Sequence, residues 1–178
     1  MKAIQPKYDE SAFFYEEQFE GARRAVVWAP AVELQRAVFE ALLNPIGDRI
    51  EYLFKEKLYV QEEQTWDRIA GGILKEALVQ LIRAYDSWFY EDSEFQFCVR
   101  EPEVPGYFAY DDHGLFFVYE SEARNLMKSL GIEERRAPLV DDEPHWHVRP
   151  KDADENLTQF KADLVAASVF SEQIRDEA

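Results

Sequence analysis

The sequence predicts an α+β fold in which a small, mainly antiparallel sheet of about three to five strands is packed by several helices. Three observations lead there. Apolar residues recur at helical spacing near both ends of the chain, and they alternate with polar residues in the stretch 94–101. The segment 107–120 reads as a β-hairpin. Seven Gly and eight Pro in 178 residues are too few for a turn-rich all-β fold. The length suits a single domain spanning 1–178, with residues 1–28 either part of the core or a peripheral arm.

The elements follow in order. Over 9–24, Asp9 or Ser11 can cap a helix carrying Phe13, Phe14 and Phe19. Residues 25–29 (AVVWA) read as a short apolar strand or extended entry. Pro30 opens a helix with Leu34, Ala37, Val38, Ala41 and Leu42 on one stripe, stopped by Asn44-Pro45 and Gly47. In 48–60, Ile50, Leu53, Phe54 and Leu58 fit a helical stripe, while Leu58-Tyr59-Val60 also suits a strand. The helix is the reading adopted there. The strongest helical pattern spans 62–85, with Trp66, Ile69, Ala70, Ile73, Ala77 and Leu81 as its core stripe. Gly71-Gly72 in its middle costs stability and marks close packing or a kink.

After Asp86 the period changes to two. Phe95, Phe97 and Val99 share one face of a strand. The hairpin turns at Asp111-Asp112-His113-Gly114, with Gly supplying the positive φ. Ser121 caps a helix to about Leu130, ended by Gly131. Residues 133–144 read as a charged loop and 145–149 (HWHVR) as a short strand. Asp152 and Glu155 form a capping-box-like pair before a last helix carrying Leu157, Phe160, Leu164, Ala167, Phe170 and Ile174.

Composition narrows the function classes. The chain has 36 acidic and 20 basic side chains, a formal net charge of −16, which repels phosphate backbones and anionic lipid. There is no run of about 18 apolar residues for a membrane helix. The opening residues turn acidic where a secretory leader needs an apolar run. One cysteine, Cys98, excludes a disulfide framework and fits a reducing, cytoplasmic setting. Phosphate-loop, dinucleotide, nucleophile-elbow, zincin and CxxC motifs are all absent. Cys98 lies out of phase with Phe95, Phe97 and Val99, in acidic company with Arg100 as the near cation. That reads as a structural thiol rather than a nucleophile.

The charge is uneven. Residues 1–90 carry 15 acids and 11 bases, and residues 91–178 carry 21 and 9. Within 91–122 nine acids face Arg100 alone. Acids at this density, interleaved with Tyr and Trp, attract a basic protein and offer anchors for it. The leading expectation is therefore a non-enzymatic binding or inhibitor protein. It would engage a basic protein partner such as a nuclease or other nucleic-acid-binding enzyme or toxin, in the manner of immunity, anti-restriction or anti-CRISPR proteins. That analogy rests on size and charge alone. Its expected contacts are Glu91, Asp92, Glu94, Glu101, Glu103, Asp111 and Asp112, with Trp88, Tyr90 and Tyr110 as anchors. No cofactor is expected under this reading.

Two alternatives stand beside it. On a strand, His145 and His147 would point to one face and, with His113 or a nearby carboxylate such as Asp111 or Asp142, could hold zinc or iron for small-molecule chemistry. Exposed aromatics could instead serve a structural subunit or homodimer.

Overall fold

The computed structural model describes residues 11–60, 63–92, 94–111, 113–137 and 149–174. Among these residues nine strands form one mixed sheet in the order β8-β1-β2-β7-β6-β5-β3-β4-β9, accompanied by five helices. The small sheet of three to five strands expected from the sequence is therefore corrected to a nine-stranded one.

The chain begins with an antiparallel pair, β1 (Phe13–Phe19) and β2 (Ala22–Trp28), where a helix over 9–24 was expected. The two-residue turn Glu20-Gly21 takes positive φ at both positions, 48° and 81°, the twist that suits a tight hairpin. Phe14, Ala25, Val26 and Val27 are buried, so residues 13–28 belong to the body of the fold. Helix α1 (Val32–Leu43) forms as predicted. The expected helix over 48–60 is instead strand β3 (Arg49–Val60), paired along its length with β4 (Glu63–Leu74). The pattern over 62–85 thus divides into β4 and a shorter helix α2 (Lys75–Ala84), followed by the single turn α3 (Asp86–Phe89).

Strand β5 (Phe95–Arg100) and the hairpin β6 (Phe108–Tyr110) and β7 (Leu115–Val118) match the predicted strands. Helix α4 (Ala123–Ser129) follows, then the two-residue strand β8 (Glu133–Glu134), which pairs parallel with β1. The expected strand over 145–149 lies outside the described residues apart from Arg149. Helix α5 (Ala153–Ala167) stops short of its expected length, and residues 170–174 become the edge strand β9 (Phe170–Ile174). At that transition Ser168 donates to the Leu164 carbonyl (2.6 Å) and receives the Tyr52 hydroxyl (2.7 Å). A serine that bonds back into the last turn competes with helix propagation.

All five helices cover one face of the sheet. Phe54, Phe95, Phe97, Phe108 and Phe116 from the strands pack with Phe39 (α1), Leu78 (α2), Trp88 and Phe89 (α3), Met127 (α4) and Phe160 (α5) in one cluster. Phe89 lies at its centre: ring centroids of Phe39, Tyr90, Phe95, Tyr110 and Phe160 all lie within 5.7 Å of it. Such edge and offset ring contacts add to the burial energy of each aromatic. None of the helices is long and apolar enough to cross a membrane among the described residues.

Candidate functional site: the helix-free sheet face and its acidic rim

Alternation along the strands sends every second side chain to the face the helices leave open. Near β1, β2 and β7 that face carries a small cluster of its own: Phe13, Tyr15, Val26 and Leu115, with Trp28 and Phe117 beside them. Three arginines lie on its rings. Arg24 sits 3.8 Å from the Phe19 centroid and 4.4 Å from that of Phe117, Arg135 lies 4.9 Å from Phe13, and Arg136 5.1 Å from Tyr15. The Arg24 Nε also donates to Glu17 (2.9 Å) and its Nη1 to the Tyr119 hydroxyl (3.2 Å).

Across β6, β5, β3, β4 and β9 the same face is hollow. A groove of about 580 Å³ runs over Leu53, Ala70 and Cys98, flanked by Tyr107 and by Phe170 and Ile174 of β9. Small residues make the hollow, and at Gly72 the Phe170 ring lies where a Cβ would stand, 2.4 Å away. Arg100 is tied to Glu51 (Nε to Oε2, 2.7 Å). Lys55 also lines the groove, and among the described residues no carboxylate pairs with it. Burial pushes the Cys98 thiol up, an effect Lys55 only partly offsets.

Beyond the stacked pair Tyr107 and Tyr119 (centroids 4.3 Å apart, nearly parallel) lies a second concavity of about 460 Å³. Glu101 and Glu120 both line it. Each is seated against a glycine. The Gly47 amide donates to Glu101 Oε2 (3.1 Å), and a Cβ on Gly106 would stand 3.1 Å from Glu120 Cγ. Gly106 has φ +110°, and Glu103 in the same loop has φ 64°, a conformation uncommon for a non-glycine residue. Burial raises the Glu120 carboxyl above its ordinary value, and the charge of Glu101 raises it further. Among the described residues no cation pairs with Glu101, Glu103 or Glu120.

The sequence-predicted contacts do not form one patch. Strand β5 separates them by its length of about 20 Å, at about 3.3 Å per residue. Glu91, Asp92, Glu94 and Asp111 lie at one end of the strand, and Glu101 and Glu103 at the other. Asp112 lies outside the described residues. Two of these acids are internal. Asp92 is buried under Trp88 and Arg149. Asp111 is buried in the hairpin turn, where Oδ1 accepts the amides of His113 (2.9 Å) and Leu115 (2.8 Å).

The three expected anchors are also corrected. Trp88, Tyr90 and Tyr110 are 2%, 5% and 1% exposed and belong to the central cluster: Tyr110 alternates to the helix-covered face of β6, and Trp88 and Tyr90 lie in and just after the single turn α3 that packs there. Glu91 and Glu103 are exposed, and Glu94 and Glu101 are half-buried. His113 packs beside Asp111, its Nδ1 3.5 Å from Oδ2. His145, His147 and Asp142 lie outside the described residues. Among the described residues no group of three or more His, Cys, Asp or Glu side chains is placed to hold a metal ion.

Sequence reasoning passed over Glu120, Tyr107 and Tyr119 as site residues. The available signal was the predicted 107–120 hairpin itself. Its antiparallel strands set residue 107 beside residue 119, and so bring Glu120 back to the Pro102–Gly106 loop that carries Glu101 and Glu103.

Comparison with protein-family models, with curated proteins and with solved structures finds no match for this chain.

Proposed function

We propose that this protein is a non-enzymatic binding protein that engages a basic protein partner, with the Glu101–Glu120 cleft as its electronegative centre. One observation carries the reading. Two carboxylates share a concave site, one raised by burial and by its neighbour's charge, with Glu103 beside them and no neutralising cation among the described residues. Such an arrangement costs free energy in the isolated chain and recovers it when a Lys or Arg enters. The net charge of −16 adds a long-range field that steers a basic partner toward the molecule. Nucleases and other nucleic-acid enzymes are the partner class with the required basic groove, and occupation of that groove would block them.

The experiment is affinity capture from host lysate at low and high salt, with bound proteins identified by mass spectrometry. The expected result is a basic, nucleic-acid-processing protein retained at low salt and released at high salt. Captured proteins without basic character, or retention insensitive to salt, would contradict the proposal.

A further inference from the structure

The groove on the helix-free face is chemically unlike the acidic cleft beside it. Its floor is apolar, formed by Leu53, Ala70 and Cys98, and its walls keep large apolar side chains in solvent: Phe170 is 59% exposed, and Tyr107 and Ile174 are each 38%. Its volume of about 580 Å³ falls in the range of small-molecule sites. Within it stands Lys55, for which no described carboxylate serves as counter-ion, in a chain where acids outnumber bases 36 to 20. Arg100, the other cation of the groove, is already engaged by Glu51.

We infer that this groove is a binding site for a small amphipathic carboxylate, with its apolar body on Leu53, Ala70 and Cys98 and its head group at Lys55. Burial of an alkyl or aryl body against the floor supplies most of the affinity. The single ammonium selects one negative charge over none and rejects a cation. The site is separate from the acidic cleft, and the inference does not depend on the basic partner proposed above.

The chain's single cysteine provides a reporter in the floor of the groove. The experiment measures the rate at which a maleimide labels Cys98 in the full chain, with decanoate or decyltrimethylammonium present below their micelle concentrations. Decanoate should slow labelling in a saturable way and decyltrimethylammonium should not. K55Q should weaken decanoate protection about tenfold without shifting the thermal midpoint. A70F, which fills the floor, should abolish the heat of decanoate binding in calorimetry. Equal protection by both amphiphiles, no protection by decanoate, or undiminished protection in K55Q would each overturn the inference.

Discussion

The Asp92 carboxylate holds the Arg149 guanidinium through two hydrogen bonds, Nε to Oδ1 at 3.0 Å and Nη2 to Oδ2 at 3.2 Å. The Asp92 side chain is fully buried and also accepts Trp88 Nε1 at 2.7 Å. This acid, read from the sequence as a surface contact, instead ties the chain entering α5 to the turn after α3. Removing the Asp92 charge leaves Arg149 its second partner, Asp154, on the exposed side, but weakens the buried charged hydrogen bonds to the guanidinium and to Trp88 Nε1. D92N should therefore lower unfolding free energy by about 2 kcal/mol in a denaturant titration. A loss below half of that would show that the pair is not part of the stabilising core.

Lys161 of α5 bridges two strands, reaching Glu56 of β3 and Asp67 of β4, the latter at 2.9 Å. Burial by itself would raise the Asp67 carboxyl, but hydrogen bonds from Lys161 and Gln173 outweigh it and hold the group below its ordinary value. A depressed folded-state value means stability that is complete above the unfolded value of about 4 and is lost as pH falls through the folded one. K161M should cost about 2 kcal/mol near neutrality. It should also flatten the fall in melting temperature as pH drops below the ordinary carboxylate value of about 4, where Asp67 gains its proton. An unchanged acid limb would refute the role assigned to Lys161.

At the alkaline end the sign reverses. The Tyr85 hydroxyl donates to Asp163 Oδ2 at 2.6 Å, and burial together with that carboxylate pushes its pKa up to about 12. Its contribution is complete below the ordinary tyrosine value of about 10 and disappears as pH rises through the folded value. Thermal melts should show stability declining between about pH 10 and about pH 12, and Y85F should remove part of that slope. Equal slopes in both proteins would place the alkaline sensitivity elsewhere.

Legibility from the sequence followed the number of faces an element buries. Strand β5 could be read directly, since Phe95, Phe97 and Val99 are buried while Gln96 and Cys98 turn to the helix-free side. The β6–β7 hairpin and helices α1 and α4 were equally plain. Strand β4 imitated a helix because it carries apolar residues on both faces: Ile69 and Ile73 toward the helices, Trp66 and Ala70 toward the groove. Two-sided strands lose alternation, and a short apolar run then fits either period. Phe170 and Ile174 are likewise four apart, a spacing shared by a helical stripe and one face of a strand. The acidic cleft was half legible. Glu101 and Glu103 were marked by charge density, but density could not separate them from Asp92 and Asp111, which are consumed by internal hydrogen bonds.

The Gly71-Gly72 pair, a cost in any helix, has a definite use in β4. A Cβ on Gly71 would meet the Tyr52 hydroxyl and the Phe170 carbonyl oxygen, each at 2.6 Å. Neither atom can retreat freely, since Tyr52 is bonded to Ser168 and Phe170 belongs to the edge strand. G71A should cost about 1–3 kcal/mol, the usual toll of overpacking. The damage should be local, with faster amide exchange over 170–174 than over β5. Wild-type exchange at β9 in the variant would mean that the close approach is not needed.

The central claim is that position, and not total charge, makes the Glu101–Glu120 cleft the point of contact with a basic partner. Its most direct test compares two variants that lose the same charge, E101Q/E120Q in the cleft and E76Q/E155Q at exposed sites on α2 and α5. Affinity of each for the captured partner is measured by titration calorimetry at fixed salt. The account predicts that the cleft variant binds at least about tenfold more weakly than wild type while the helix variant stays within about twofold. Equal losses in both variants would mean that the charge acts only as a diffuse field, and would contradict the account.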